Sequence, residues 1–221
     1  MQALGDFWAH SDPLTLALAL LLLGMSVASW VQIFWKATML RRAQARIAQA
    51  LPRFWTADTP QAGLAELARL DTDALLLPLA RAALDAAMAE NTATGLQAGT
   101  PAAARRTRHL REALHRSVAQ LQRGQVVLAS VGSTAPFVGL LGTVWGVYGA
   151  LLSVAGEGAP GLDRIAGPIG EALVMTAAGI AVAVPAVLAY NAFGQQAAAC
   201  EAELEGFAHD LQAWNPDTPA P

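Results

Sequence analysis

Three stretches of the chain stay apolar for longer than a globular core helix requires, and the segments between them alternate polar and apolar positions at helical spacing. From Leu14 to Trp35 no charge interrupts the run. As a helix it spans about 33 Å, which matches a hydrocarbon layer of roughly 30 Å. Trp30, Phe34 and Trp35 crowd its end and Lys36 follows, the order expected where an aromatic belt meets headgroups on the basic side of a membrane. The second run, Val126 to Ala155, is about 45 Å long as a helix and must tilt or project beyond the bilayer. Gly132 and Pro136 are positions where it can kink, because a proline ring clashes with the carbonyl four residues back. The third run, Ile169 to Phe193, is opened by Pro168 and has Glu171 and Tyr190 as its ionisable groups. Pro185 is its kink position, and Asn191 and Gln195 mark its exit.

Between the runs the pattern predicts helices outside the membrane. Met39, Ala43, Ile47 and Ala50 continue the first helix in steps of three and four until Pro52 stops the pattern. Helical stretches follow at Gln61 to Leu70 and Ala74 to Glu90, separated by the polar turn Asp71, Thr72, Asp73. Thr100 and Pro101 form an N-cap and first-turn pair, and Leu110, Leu114, Val118 and Leu121 then run without a breaker into the second apolar run. This predicts one long helix from solvent into the membrane. Gly156, Gly158, Pro160 and Gly161 end it in a short loop that also holds Glu157, Asp163 and Arg164. The expected fold is therefore all-α, an integral membrane protein with three transmembrane helices and long helices extending into the cytoplasm.

Composition supports that reading: of 221 residues 54% are hydrophobic and 14% charged, too apolar for an ordinary soluble domain. Charge placement then orients it. All Lys and Arg except Arg164 lie between Lys36 and Arg123, and cytoplasmic loops near membrane spans hold the excess of such residues. The expected layout is a periplasmic N-terminus at 1–13, transmembrane helix 1 at 14–35, a cytoplasmic helical region at 36–125 and transmembrane helix 2 at 126–155. A periplasmic loop at 156–168, transmembrane helix 3 at 169–193 and a cytoplasmic tail at 194–221 complete it. No basic residue precedes the first run, so it lacks the n-region of a cleaved signal and is expected to remain as an anchor.

Enzyme chemistry has no support in the pattern. No nucleophile elbow, phosphate-cradling glycine loop or zinc-binding helix motif is present, so no catalytic residue, cofactor or metal is expected. Cys200 is the single cysteine and has no partner for an intramolecular disulfide. His10, His109, His115 and His209 lie outside the spans. The run Arg105, Arg106, Arg108 and Arg111 sits just cytoplasmic of a span, where it suits topology and anionic lipid rather than nucleic acid.

The candidate chemistry lies in the second and third spans. Gly139, Gly142, Gly146 and Gly149 fall within about an 80° sector of a helix. Small-residue faces of this kind let membrane helices approach closely. Thr143 lies about 40° from Gly139 on the wheel and either faces a pore or neighbour, or bonds its own helix four residues back. Glu171 either faces a water-filled path or partner, since a carboxylate in a span costs at least ~2.5 kcal/mol, or complements the positive end of a helix opened by Pro168. Thr176 is 140° from Glu171 in an ideal helix, whereas Thr176, Gly179, Ala183 and Ala186 share a face.

The segments APFVGLLGTVWG (135–146), GPIGEAL (167–173) and AVPAVLAYN (183–191) together resemble the channel-forming subunits of the ExbB/TolQ/MotA family. The resemblance covers about Gly132 to Asn191, and the three-span, N-outside plan with a large cytoplasmic first loop agrees with it. It implies a stator of a proton-driven motor in a bacterial inner membrane, assembled as a homopentamer around the membrane helices of an ExbD-like single-span protein. By motif, Thr143, Glu171 and Thr176 would line the lumen, where an aspartate of the partner takes up and releases protons. The wording RIAGPIGEALVMT (164–176) favours the ExbB branch, in which the motor energises a TonB-like protein for import across the outer membrane. A TolQ-like envelope motor is the alternative, and a purely structural membrane scaffold is the alternative of a different class.

Overall fold

The computed structural model describes residues 12–88, 101–155 and 163–214, and among these all regular structure is helical. The helices are α1 (Pro13–Trp55), α2 (Pro60–Leu70), α3 (Leu77–Met88), α4 (Ala102–Gln122), α5 (Gln125–Ala155) and α6 (Asp163–Ala213). Thr100, the loop glycines with Glu157, and the ends of the chain lie outside the described residues.

Three helices are long and apolar enough to cross a membrane, α1, α5 over Gln125–Leu152 and α6 over Ala166–Ala213. Their most apolar windows are only 17%, 33% and 28% buried within the chain. Leu23, Val31, Phe34, Phe137, Val144 and Leu188 all point outward. In water such a surface would aggregate; in lipid it is at equilibrium. The remaining apolar surface must be covered by hydrocarbon or by other chains.

The chain divides into two compact units. The first takes the described residues up to Lys36 together with Gly124–Ala192. Its core is Leu18 and Leu22 from α1, Val131 and Ala135 from α5, and Met175, Ala183 and Ala186 from α6. Small side chains dominate on α5 and α6, so contact there is between backbones rather than interleaved long side chains. Lys36 is 0% exposed, because it falls on the same helical face as buried Leu18, Leu22 and Ser29.

The second unit takes Ala37–Arg123 and Phe193 onward. Leu40, Ala43, Ile47, Ala50 and Phe54 form the buried line of α1 there. Pro52 lies inside the helix, which ends only at Trp55, since one missing N–H in the last turn removes a single hydrogen bond. Phe54 packs edge-on against Phe207 of α6, ring centroids 5.3 Å apart, and against Trp214 at 6.1 Å. Thr59 caps α2 by accepting from Ala62 N at 3.2 Å, and Pro60 takes the first helical position.

The turn at Asp71–Asp73 is a structural joint. Asp71 is buried, and its carboxylate accepts from the N–H groups of Leu75, Leu76 and Leu77 at 3.0, 2.7 and 2.8 Å. It thereby caps α3 from six residues away. Asp73 takes Arg46 of α1 at 2.5 Å. Ala74, expected to open a helix, has a φ of 52° and belongs to the turn, so α3 starts at Leu77. Ser117 of α4 donates to Leu75 O at 2.9 Å and Gln120 donates to Asp73 O at 2.8 Å, which clamps α4 onto the same joint.

Several expectations about helix ends are corrected. The single long helix from Pro101 into the second span is two helices, α4 and α5, parted at Arg123–Gly124 with Gly124 at φ +81°. Glycine alone takes that conformation without strain, and an added Cβ would lie 2.5 Å from Gln32 Oε1. Pro101 is also the N-cap of α4 rather than its first helical residue. The third helix begins before Pro168, at Asp163, and continues past Phe193 to Ala213. The continuation QQAAACEAELEGF is rich in strong helix formers, and Pro168, in the second turn, forfeits one bond.

Candidate functional site

The seam between α5 and α6 is built from glycine upward. A Cβ on Gly139 would lie 2.6 Å from Met175 O and 3.1 Å from Gly179 Cα. One on Gly179 would lie 2.6 Å from Ala135 O and 3.0 Å from Gly139 Cα. These are backbone atoms that cannot swing aside, so the two helices touch where neither has a side chain. Gly142 sits against Met175 and Gly146 against Ala172 at 2.8 Å. The stripe that makes contact differs from the one expected at both ends. A Cβ at Gly149 would meet nothing within 4 Å, whereas one at Gly132 would lie 2.6 Å from Val187 Cγ2. Gly132 was read only as a kink position; its spacing of seven from Gly139, and of fourteen from Gly146, was the available signal. The helices continue through Pro136 and Pro185.

This close approach brings Thr143 and Thr176 together. Their hydroxyls contact each other. Thr143 Oγ1 lies 3.2 Å from Gly139 O in its own helix and 3.2 Å from Ala172 O across the seam, and Thr176 Oγ1 lies 3.3 Å from Gly139 O. The arrangement is reciprocal: each hydroxyl reaches the carbonyl four residues before its partner threonine. Ala172 thus contributes a backbone acceptor that no side-chain pattern announces. Thr143 thus has within hydrogen-bond reach both a carbonyl of its own helix and groups of the neighbouring helix.

A hydroxyl donates one proton and accepts at two lone pairs, so the pair has two equivalent bonding patterns. In one, Thr143 donates to Ala172 O and Thr176 donates to Thr143. In the other, Thr143 donates to Thr176 and Thr176 donates to Gly139 O. Switching between them reverses the hydrogen-bond direction without moving a heavy atom.

Glu171 is not part of this cluster. Around the threonine pair Ala172, Met175, Thr176 and Gly179 are α6 residues that face α5, while Glu171 is exposed, off the seam. The helix-end reading of Glu171 is not supported, because α6 starts at Asp163 and the free N–H groups of its first turn lie more than one turn before Glu171. The carboxylate therefore stands on an outward face of an apolar helix, next to the side that carries the threonine pair. Among the described residues no group of three or more His, Cys, Asp or Glu is placed to hold a metal ion.

The stretch that holds this seam is also where the chain is similar to known proteins. Residues 79–206 match the MotA/TolQ/ExbB proton channel family. The biopolymer transport protein ExbB of Xanthomonas campestris pv. campestris (strain B100) is 42% identical over 201 residues, covering 86% of this chain and 77% of that protein. A protein of the same name from Neisseria meningitidis serogroup A is 38% identical over 206 residues, covering 90% of this chain and 91% of its own length. The Tol-Pal system protein TolQ of Pseudomonas aeruginosa is 32% identical over 221 residues, covering 88% and 84%. With three helices able to span a membrane, a glycine seam joining two of them and a family match across more than half its length, the chain belongs to the MotA/TolQ/ExbB proton channel family.

Proposed function

We propose that this chain is the channel-forming subunit of a proton-driven motor in a bacterial inner membrane, which with an ExbD-like single-span partner energises a TonB-like protein for import across the outer membrane. The observation that carries the reading is the contact between the Thr143 and Thr176 hydroxyls inside an otherwise apolar seam. A carboxylic acid of a partner helix passing this point exchanges its proton only if its charged form finds donors, since hydrocarbon excludes a bare carboxylate. Two hydroxyls with reversible bond direction supply such donors and relay a proton in either sense. Several copies, five by family resemblance, set α5 and α6 around a lumen, with Glu171 as the fixed acid of each copy. The first span serves as an anchor, and the N-terminus lies in the periplasm.

The test replaces the hydroxyls and keeps the volume, Thr143→Val together with Thr176→Val. Both carbonyls retain their own helix N–H partners, so the seam survives. Energised uptake of an iron chelate, followed as growth on that chelate alone, is expected to fall to the level of a strain lacking the chain, with assembled protein unchanged in amount. Full uptake by the double variant refutes the proposal. The second reading, an envelope motor of the Tol-Pal type, draws on the 32% identity to a TolQ protein. It predicts instead that the same variant leaks periplasmic protein and divides abnormally while uptake persists. A purely structural scaffold predicts that Glu171→Gln is silent in both assays.

A further inference from the structure

Two outward helix faces of the second unit carry opposite charge. On α4, Arg108, Arg111, His115 and Arg116 are exposed and lie opposite the buried line Leu110, Ala113, Ser117 and Leu121. Glu112 is the acid among them and bonds Arg116 within the helix at 3.2 Å, so the face stays net positive. On α6 after Phe193 there are Glu201, Glu203, Glu205 and Asp210 and no Lys or Arg. Glu203, Glu205 and Asp210 are exposed and flank an exposed strip of Ala199, Ala202 and Gly206. A Cβ at Gly206 would meet nothing within 4 Å, so a helix laid on the strip could approach closely.

The heights of the two faces match. Gln212 Nε2 donates to Thr107 Oγ1 at 2.7 Å and Arg106 Nη1 donates to Trp214 O at 3.0 Å. Residue numbers therefore fall along α6 as they rise along α4. At ~1.5 Å per residue, Arg116 stands level with Glu203 to within about one residue, and Arg108 stands within about one turn of Asp210. Copies related by a rotation about an axis running along these helices keep every residue at its height.

We propose that these faces meet between copies, α4 of one chain docking on the Ala199–Gly206 strip of α6 in the next, with Arg116 paired to Glu203 and Arg108 to Asp210. The contact joins two different surfaces and so is head-to-tail, the kind that closes into a ring. It rests on the reading that several copies assemble, and adds which surfaces hold them together outside the membrane. On helix wheels viewed from one end, Arg116 and Glu203 fall on the same flank of this contact.

The test is charge reversal in the full chain, solubilised in neutral detergent, with mass distribution followed by native mass spectrometry over a dilution series. Arg116→Glu and Glu203→Arg are each expected to weaken the copy-to-copy contact by about threefold to tenfold, as an exposed pair turned into a repulsion allows. The double reversal is expected to restore wild-type assembly. The loss in each single variant should shrink as salt rises, because exposed charges are screened. Single variants that assemble like wild type, or a double reversal that recovers nothing, overturn this interface while leaving assembly itself standing. A wild-type chain that is monomeric at every concentration overturns the assembly reading as well. A further refuting outcome is that Arg116→Glu weakens assembly only when anionic lipid is added and Glu203→Arg has no effect, for then the basic face binds lipid.

Discussion

Placing one methyl group at Gly139 tests whether the seam holds the threonine pair. Its carbon would stand 2.6 Å from Met175 O, with Thr176 Cα and Gly179 Cα each at 3.1 Å. All three belong to backbone of a packed helix, so relief requires α6 to retreat by somewhat under ~1 Å from an ordinary ~3.4 Å contact. The bridging distances of 3.2 and 3.3 Å across the seam then exceed hydrogen-bond range. Overpacking costs about 1–3 kcal/mol and the lost hydroxyl bonds about 0.5–1.5 kcal/mol each. Against this stands about 1 kcal/mol of helix propensity gained by replacing glycine with alanine. Net destabilisation of about 1–4 kcal/mol is expected for Gly139→Ala. Gly149→Ala is the control, the same change in the same helix with nothing within 4 Å, expected to stabilise by about 0.5–1 kcal/mol. Equilibrium unfolding in mixed micelles measures the difference, about 1.5–5 kcal/mol, and proton-driven uptake should fail in Gly139→Ala alone. If the two variants unfold within about 0.5 kcal/mol of each other, the backbone contact is not what positions the hydroxyls.

Asp71→Ala strips three N–H groups of their acceptor at the start of α3 and is expected to destabilise by about 2–4 kcal/mol, with Asp71→Asn recovering part of the loss through its remaining carbonyl oxygen; thermal unfolding of the detergent-solubilised protein compares them. Burial, and secondarily the carboxylate of Glu203, push the Cys200 thiol up from its ordinary value. Because the thiolate is the reactive form, Cys200 should resist iodoacetamide at neutral pH in the folded chain and react fully once it is unfolded, as intact mass would record. Rapid alkylation under native conditions would show that the packing of α6 against α1 in the second unit opens readily.

How much of this was legible in the sequence depends on which atoms carry each feature. Spans show in a chain as runs of side chains, and the three apolar runs were read from them directly. The threonines were visible as polar residues in apolar helices, but their pairing was not. It depends on Gly139 meeting Gly179, and on carbonyls of Gly139 and Ala172, groups that every residue possesses and no pattern distinguishes. The break at Gly124 was missed for a related reason. A lone glycine inside a helical pattern is usually tolerated, and only its positive φ, imposed where Gln32 and Trp35 crowd it, shows that here it separates two helices. The length of α6 is readable in principle, since QQAAACEAELEGF is strongly helical, but Asn191 and Gln195 mark a membrane exit, and an exit from the apolar run does not reveal whether the helix itself ends there. Asp71 was placed in a turn without its role, because a cap six residues ahead of its helix has no fixed spacing.

The position of Glu171 constrains any mechanism for this chain. Glu171 is exposed, whereas the threonine pair lies in the contact between α5 and α6. The hydroxyls lie in the seam between α5 and α6 of the same chain, whereas the carboxylate lies on an outward face of α6. A carboxylate exposed on a membrane helix faces lipid, a water-filled path or another chain, and facing lipid costs at least ~2.5 kcal/mol for every copy. Covering that face with α5 of a neighbouring copy relieves the cost and brings Glu171 beside a second chain's seam. In such an arrangement each proton-handling station would draw its hydroxyls from one copy and its carboxylate from the next. A mixed assembly then separates this arrangement from one in which each copy works alone. When copies carrying Thr143→Val with Thr176→Val are combined with copies carrying Glu171→Gln, shared stations leave some sites with both defects and some with neither. Uptake should therefore exceed that of either variant alone. Uptake no higher than in the two pure variants would mean that hydroxyls and carboxylate act within a single copy, and that the exposed face of Glu171 has another occupant.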